Sequence, residues 1–158
     1  MVIKTKTAIL LTILVLLSWH SSAVAGARSI GGEKVNLRSG PGEQYSIKWE
    51  YGKGFPVKIV SKQGQWVKIM DFEGDSGWIH NSLLSKTPYV IVSVNKGKNK
   101  LINIRSGPGK NYSVTGKAYY GVVFERKKQE KGWINVKHES GVEGWIEGSL
   151  LWGWQGLK

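Results

Sequence analysis

A seven-residue motif, Asn-Leu/Ile-Arg-Ser-Gly-Pro-Gly, occurs twice in this chain and constrains its fold more than any other feature. It stands at residues 36–42 and again at residues 103–109, which is 103 − 36 = 67 positions later. The register holds further along: Tyr45 matches Tyr112, Trp66 matches Trp133, and Gly77-Trp78-Ile79 matches Gly144-Trp145-Ile146. Solenoid and propeller repeats run at roughly 20–50 residues and need three or more copies. A longer unit present only twice therefore predicts two small domains of one fold.

Composition limits the chemistry that these domains can use. The 158 residues include no cysteine and carry a formal net charge of +12. Without cysteine, the chain forms no disulfide and has no thiolate that could act as a nucleophile or as a metal ligand. The positive charge predicts attraction to polyanions, and nucleic acid, anionic lipid and acidic cell-wall polymers all fit it. Charge alone therefore does not choose a partner.

The first 25 residues have the pattern of a secretory signal peptide. Lys4 and Lys6 precede an apolar run at residues 8–17, and Ala23-Val24-Ala25 is a small-x-small cleavage signal, with Ala25-Gly26-Ala27 as an alternative. The apolar run is shorter than the roughly 20 residues that span a bilayer. We therefore expect this segment to be removed on export. The mature protein would then work in the periplasm or as a secreted protein, without a membrane span.

Beyond residue 28, the pattern is that of short β-strands. Apolar and polar residues alternate, as around Val35 and Leu37, and 20 of the chain's 21 glycines lie here and keep helices from growing. Short strands at about 10-residue spacing predict a small sandwich or barrel, and a barrel hides the edges of about five strands better. We predict an all-β fold of two tandem barrels, at residues 28–85 and 90–154, with a linker at residues 86–89.

The end of the repeated motif predicts a sharp turn after a strand. Proline presets φ at the second position of a type II turn, and glycine tolerates the positive φ needed at the third. No helix pattern follows the glycines, so they do not form a phosphate cradle. Arg38 and Arg105 stand at the strand ends. They either pin a loop carboxylate, the role we favour, or contact an anionic ligand, and both are candidate ligand-binding residues.

Together these residues resemble the bacterial SH3-like (SH3b) domain family. The resemblance rests on the repeated motif, a tyrosine three residues after it, a mid-domain tryptophan and a terminal Gly-Trp-Ile…Leu-Leu pattern. It covers essentially the whole chain after the signal segment. Two stretches of unit one, at residues 45–51 and 74–80, are especially similar to a proteobacterial SH3-like subgroup of exported proteins. The resemblance implies two SH3-like barrels outside the cytoplasm, either targeting cell-wall hydrolases or standing alone.

The duplication separates matched from unmatched aromatic residues. The matched ones are predicted to build the barrels, because aromatic side chains dominate small cores; they are Trp66/Trp133, Trp78/Trp145 and Tyr45/Tyr112. The unmatched ones are candidate ligand-binding loop aromatics: Trp49, Tyr51, Tyr119 and Tyr120, with Trp152 and Trp154 at the end.

The alternative for the unmatched residues is packing. Trp49 and Tyr51 would then lie between the units, and Trp152 and Trp154 would close the second barrel against the first. At the positions of Trp49 and Tyr51, unit two has Gly116 and Ala118. Any ligand contact of these two side chains would therefore belong to unit one alone.

No arrangement of residues predicts catalysis, a metal site or a cofactor. The chain has no Gly-x-Ser-x-Gly elbow, and His80 and His138 stand alone without the spacing of metal ligands. Residues 71–75 carry three carboxylates but lack the length and closing glutamate of a calcium loop. A hairpin turn accounts for them better. We therefore expect a non-enzymatic protein.

Basic residues cluster at Lys96, Lys98 and Lys100 and again at residues 126–128. They form either a solvated face or an electrostatic footprint for an anionic polymer. Nucleic acid fits the charge but conflicts with export. We expect the partner to be peptidoglycan or another anionic envelope polymer. The alternative is an adaptor that binds an envelope protein or peptide.

Overall fold

The computed structural model describes residues 27–154, which form two β-sheets of seven strands each. Unit one contains β1 (Ala27–Ile30), β2 (Val35–Arg38), β3 (Ile47–Tyr51), β4 (Pro56–Gln63), β5 (Trp66–Met70), β6 (Ser76–His80), a 3-10 turn (Asn81–Leu83) and β7 (Leu84–Ser85). Unit two contains β8 (Tyr89–Val92), β9 (Ile102–Arg105), β10 (Val114–Ala118), β11 (Val123–Glu130), β12 (Trp133–Lys137), β13 (Glu143–Glu147), a 3-10 turn (Gly148–Leu150) and β14 (Leu151–Trp152). The predicted all-β fold in two tandem units is confirmed.

The two sheets have the same topology. The strand order is β3-β2-β6-β5-β4-β1-β7 in unit one and β10-β9-β13-β12-β11-β8-β14 in unit two. Each strand of unit one thus corresponds to the strand seven places later. The predicted set of about five strands corresponds to β2 through β6. The short strands β1 and β7 extend it, because β1 pairs with both β4 and β7.

Because side chains alternate between the two faces of a strand, one row of apolar side chains lies on the inner face of each sheet. Val35 and Leu37 on β2 are buried, whereas the residues that follow them are only half-buried. Strand β6 approaches β2 so closely that a Cβ at Gly77 would lie 2.7 Å from the Arg38 carbonyl oxygen. Glycine is therefore required in the Gly-Trp-Ile pattern. Each fully buried aliphatic side chain contributes about 1.5–3 kcal/mol, so these rows supply most of the stability of each unit.

The matched tryptophans lie mostly outside the cores, so their predicted role is wrong in part. Trp78 stands on β6 between Gly77 and Ile79, which are both buried, and side chains on a strand alternate between its faces. Trp78 therefore lies on the outer face and is half-buried. Among the matched tryptophans only Trp145 is buried. The cores consist mainly of valine, isoleucine and leucine.

The repeated motif forms a tight turn, but the prediction that this turn is of type II is wrong. Gly42 and its counterpart in unit two do not have positive φ. Instead, the Gly42 N–H donates to the Gly40 carbonyl oxygen at 3.0 Å, which closes a three-residue turn around Pro41. Glycine is needed at position 40 because the ring of Tyr45 lies over it, and a Cβ there would be 2.3 Å from that ring. Tyr45 is consequently a surface residue, 41% exposed.

The connection between the two sheets is short. Residues 86–88 separate β7 from β8, and the Ser29 hydroxyl of β1 donates to the Thr87 carbonyl oxygen at 2.7 Å. The predicted signal peptide lies outside the described residues. Within residues 27–154, no helix has the length and apolar character needed to cross a membrane.

Candidate functional site

An aromatic groove lies on unit one beside β3, the edge strand of its sheet. Trp49 and Tyr51 are two positions apart on β3 and so project to the same face. Trp49 is 63% exposed, whereas Tyr51 is 2% exposed and packs against Phe55 with ring centroids 4.6 Å apart. Phe72 continues the series, with its ring centroid 5.9 Å from that of Phe55. The groove thus has an aromatic floor and an exposed indole at its side.

The groove has the size of a small-ligand or peptide site. Its volume is about 410 Å³, and ligand pockets typically measure about 300–1,000 Å³. Its lining residues, which define the aromatic groove, are Leu37, Lys48, Trp49, Tyr51, Phe55, Asp71, Phe72, Glu73 and Asp75. The lining is more apolar than polar, and its charged residues are one lysine and three acids.

Asp71 organises one wall of the groove, the β5–β6 connection at residues 71–75, here named the wall loop. Asp71 as a whole residue is 7% exposed. Its carboxylate accepts hydrogen bonds from the Tyr51 hydroxyl at 2.8 Å and from the backbone N–H groups of Glu73 and Asp75 at 3.0 and 2.9 Å. Burial, and then the hydrogen bond to Asp71, raise the pKa of Tyr51 above its ordinary value. The hydroxyl therefore remains a donor at neutral pH.

The carboxylate of Asp71 is thus engaged by its own loop, in line with the hairpin turn predicted for residues 71–75. Within residues 27–154, no group of three or more histidine, aspartate or glutamate side chains is placed to hold a metal ion.

Trp49 and Tyr51 lie on a strand, so their predicted loop position is wrong. Strand β3 pairs with β2 through both of them, with Trp49 opposite Leu37 and Tyr51 opposite Val35. Tyr51 belongs to the core of unit one. The alternative that these two residues pack between the units is also wrong.

Arg38 and Arg105 contact backbone carbonyl groups. Arg38 Nη1 donates to the carbonyl oxygens of Glu43 and Tyr45, both at 2.9 Å, and Arg105 Nη1 donates to that of Tyr112 at 2.8 Å. Each arginine thereby holds in place the turn that follows the repeated motif. The pinning role was predicted, but the acceptors are carbonyls and not a carboxylate. A ligand contact of these arginines stays a prediction.

Tyr119 and Tyr120 lie in the β10–β11 turn of unit two, outside the groove lining. Tyr119 is 50% exposed. The Tyr120 hydroxyl donates to the Glu73 carboxylate of the wall loop, and its ring centroid lies 5.4 Å from that of Phe72. Tyr120 therefore belongs to the contact between the two units. Trp154, by contrast, packs against the core of unit two.

Sequence reasoning missed Phe55 and Phe72, which form part of the floor and one wall of the groove. Both positions are unmatched in the duplication, where Val122 and Glu139 take their places. The criterion that singles out Trp49 therefore singles out both phenylalanines too, once it is extended beyond tryptophan and tyrosine.

The described residues of unit two do not reproduce the groove. Of the nine lining positions only Leu37 has an aliphatic counterpart of similar size, Ile104. The other eight residues, Lys48, Trp49, Tyr51, Phe55, Asp71, Phe72, Glu73 and Asp75, become Thr115, Gly116, Ala118, Val122, His138, Glu139, Ser140 and Val142. Core positions stay apolar, as when Leu37 becomes Ile104. The fold therefore does not require the groove residues, which is what a binding site added to one copy would show.

Several of the clustered basic residues are engaged within the chain. Lys96 pairs with Glu73 at 2.8 Å, and Lys127 pairs with Glu125 at 2.6 Å. The Lys128 ammonium lies 5.1 Å from the centroid of the Trp145 ring. These charges are therefore only partly available to an anionic polymer.

A larger cavity of about 640 Å³ is lined by residues of both units. Its charged lining residues, of both signs, are Glu33, Lys53, Glu125, Lys137 and Glu139. Because binding pockets are usually lined mainly by apolar and aromatic side chains, the aromatic groove is the better candidate site.

Comparison with known protein families assigns both units. A family model described as "Bacterial SH3 domain" matches residues 31–86 and again residues 98–153. Each match covers most of one unit, in agreement with the duplicated sheet topology.

Two curated proteins resemble the chain over part of their length. The Bacillus subtilis (strain 168) protein named "Putative N-acetylmuramoyl-L-alanine amidase YrvJ" is 31% identical over 136 residues, which are 82% of this chain and 26% of that protein. An uncharacterized protein of Haemophilus influenzae (strain ATCC 51907 / DSM 11121 / KW20 / Rd) is 40% identical over 52 residues, 33% of this chain and 26% of that protein. The matched region thus spans about a quarter of each relative.

Among solved structures, an NlpC/P60 family protein from Bacillus cereus ATCC 10987 aligns with 80% of this chain and 55% of its own. The TM-score is 0.37 at 14% sequence identity. This likeness is too low to support a functional argument.

Proposed function

The chain belongs to the bacterial SH3 domain family, and from that premise we propose that it is a non-enzymatic module that binds the cell wall through the aromatic groove of unit one. The proposed ligand is peptidoglycan, met outside the cytoplasm after export by the N-terminal signal segment. The observation that carries the proposal is Trp49, a residue that is 63% exposed beside an aromatic floor that unit two lacks.

The Bacillus subtilis relative supports a wall ligand. Its name refers to the N-acetylmuramoyl-L-alanine linkage, which joins glycan to peptide in peptidoglycan. The similarity covers most of this chain but only 26% of the relative. A binding module shared with a protein that is named for a wall linkage accounts for this pattern, and the amidase activity is not part of the proposal.

The chemistry of the groove suits a wall fragment. An indole presents a flat apolar face to a sugar ring or peptide side chain, and its N–H edge provides a polar contact. Lys48 and Asp75 place charges of both signs in the lining. The peptide stem of peptidoglycan, which carries both carboxylate and amine groups, can be complemented by such a lining.

Two of the three acidic residues of the groove, Asp71 and Glu73, are engaged in its structure, which favours binding over catalysis. A general acid works best with a pKa near the operating pH. Hydrogen bonds from Lys96 and Tyr120 instead hold the pKa of Glu73 below its ordinary value. The carboxylate of Asp71 is engaged by the wall loop and by Tyr51.

Co-sedimentation of residues 27–158 with purified sacculi tests the proposal. We expect the protein to pellet with sacculi at low salt. Trp49→Ala should weaken binding about 30-fold or more, because a central tryptophan commonly contributes about 2 kcal/mol or more to an interface. Tyr119→Ala is the matched control, since it removes a similarly exposed aromatic ring outside the groove.

Two results would contradict the proposal. If wild-type protein stays in the supernatant at low salt, the wall is not the ligand. If Tyr119→Ala weakens binding as much as Trp49→Ala, the aromatic groove is not the site. A folded Trp49→Ala variant, checked by circular dichroism, keeps the second comparison valid.

An adaptor function is the second candidate, and the free edge of β3 favours it. Strand β3 ends its sheet and pairs only with β2 among the described strands. An extended peptide of an envelope protein could therefore add to β3 beside Trp49, as in β-strand addition. The adaptor predicts indifference to sacculi and a discrete crosslinked partner from a crosslinker attached at position 49.

A further inference from the structure

We propose that unit two is a positioning element for the groove of unit one: Tyr120 and Lys96 hold the wall loop in the shape that binds ligand. This inference rests on the proposed function, because it assigns a role to residues outside the groove that the ligand would not touch. It also explains why a unit without a groove accompanies the unit that has one.

The contact engages both oxygens of one carboxylate. Glu73 Oε1 accepts the hydrogen bond from the Tyr120 hydroxyl, and Glu73 Oε2 lies 2.8 Å from Lys96 Nζ. The ring of Phe72, one residue earlier, packs against the ring of Tyr120 with centroids 5.4 Å apart. Two consecutive residues of the wall loop are thus held from unit two.

Those same two residues line the groove. Phe72 and Glu73 are both part of its wall, and Phe72 also contacts the Phe55 ring of the floor, with centroids 5.9 Å apart. A continuous series of rings therefore runs from Tyr51 through Phe55 and Phe72 to Tyr120. Movement of the wall loop away from Tyr120 would change both the width and the floor of the groove.

The residues that make this contact are ones in which unit two departs from unit one. The β8–β9 turn that carries Lys96 has nine residues, 93–101, whereas the corresponding β1–β2 turn has four, 31–34. The position of Tyr120 is occupied in unit one by Lys53, which pairs with Glu33 at 3.2 Å. Unit two thus carries an insertion and an aromatic substitution at its contact with the groove wall.

The contact is suited to positioning more than to overall stability. Lys96 is largely exposed, and exposed ion pairs contribute little to the free energy of unfolding. A loop, however, has low local stability, so a few bonds at its tip shift the population of its conformations. We therefore expect loss of the contact to act on the wall loop and on ligand binding while leaving the global unfolding midpoint nearly unchanged.

Charge reversal tests the contact while keeping its geometry recoverable. Lys96→Glu is expected to weaken binding to sacculi roughly 3- to 10-fold, in the range of coupling between contacting residues. Lys98→Glu makes the same charge change in the same turn, and no contact joins the Lys98 side chain to Glu73. Combining Lys96→Glu with Glu73→Lys restores the pair, and we expect it to recover most of the binding lost in the two single variants.

Hydrogen exchange provides a second measurement that needs no ligand. The backbone N–H groups of Glu73 and Asp75 are bonded to Asp71 in the wall loop. We expect their exchange to become several-fold faster in Lys96→Glu and in Tyr120→Ala, and to return toward the wild-type rate in the charge-swapped double variant.

The outcomes separate this inference from the proposed function. If sacculus binding is absent or insensitive to Trp49→Ala, the proposed function fails, and the exchange rates still show whether unit two holds the wall loop. The positioning role is overturned if Trp49→Ala weakens binding but Lys96→Glu acts no differently from Lys98→Glu. Unchanged exchange rates in Lys96→Glu and Tyr120→Ala would also overturn it.

Discussion

Replacing Tyr51 by phenylalanine should destabilise unit one through the loss of a single oxygen atom. The Tyr51 hydroxyl donates to the buried Asp71 carboxylate at 2.8 Å, and the ring itself is 2% exposed. Phenylalanine keeps the ring and its packing on Phe55, so the change isolates the hydrogen bond. Asp71 would keep its two backbone donors but lose the third.

The expected cost follows from the type of bond. Hydrogen bonds to charged groups contribute about 1.5–3 kcal/mol, so we expect a loss of about 2 kcal/mol in the free energy of unfolding of unit one. For a domain of roughly 60–100 residues, that loss lowers the thermal midpoint by about 8–16 °C. The backbone donors that remain on Asp71 keep the loss from being larger.

Urea unfolding at pH 7, followed by tryptophan fluorescence, measures this change. Tyr45→Phe is the matched control, because Tyr45 is 41% exposed and no contact of its hydroxyl is found among the described residues. We expect the control to change the free energy of unfolding by less than about 0.5 kcal/mol. A Tyr51→Phe variant as stable as the control would refute the assignment of this bond as a structural one.

Two further predictions concern the turn and the contact between units. Gly40→Ala should cost about 1–3 kcal/mol, because its Cβ would lie 2.3 Å from the Tyr45 ring; urea unfolding should show a smaller cost when Tyr45 is also alanine, and an equal cost would contradict the clash. Hydrogen bonds from Lys96 and Tyr120 lower the pKa of Glu73 from its ordinary value, so the contact is fully formed above that ordinary pKa and is lost as pH falls through the lowered pKa. Exchange of the wall-loop amides, corrected for its intrinsic pH dependence, should therefore rise as the pH falls below the ordinary pKa of glutamate, and a flat profile would contradict the contact.

The duplicated motif and the alternating apolar residues were sufficient to predict the architecture. Two units of one fold follow from the 67-residue register, and the inward rows follow from positions such as Val35 and Leu37. The turn type was not predictable from the Gly-Pro-Gly pattern alone. The turn also includes contacts that the pattern does not contain, such as the ring of Tyr45 on Gly40, which is made only once the chain has reversed.

The candidate site was predicted in part. Trp49 was found because its counterpart is Gly116, and the structure places it exposed beside a groove. Tyr51 was found by the same criterion, but it is buried because its ring packs against Phe55 and its hydroxyl donates to Asp71. The role of Tyr120 was not predictable, since it depends on how the two units meet, and a pattern within one unit does not contain that information.

The nine-residue turn of unit two has a consequence for how such chains can be rearranged. The two copies are no longer interchangeable, because only the later one has the reach to touch the earlier one's wall loop. A gene shuffled to encode unit two before unit one, or two copies of unit one in series, would preserve every core residue of each barrel. Two copies of unit one would lack Lys96 and with it the pair to Glu73. In the proposed role of unit two, order along the chain would itself be part of the site.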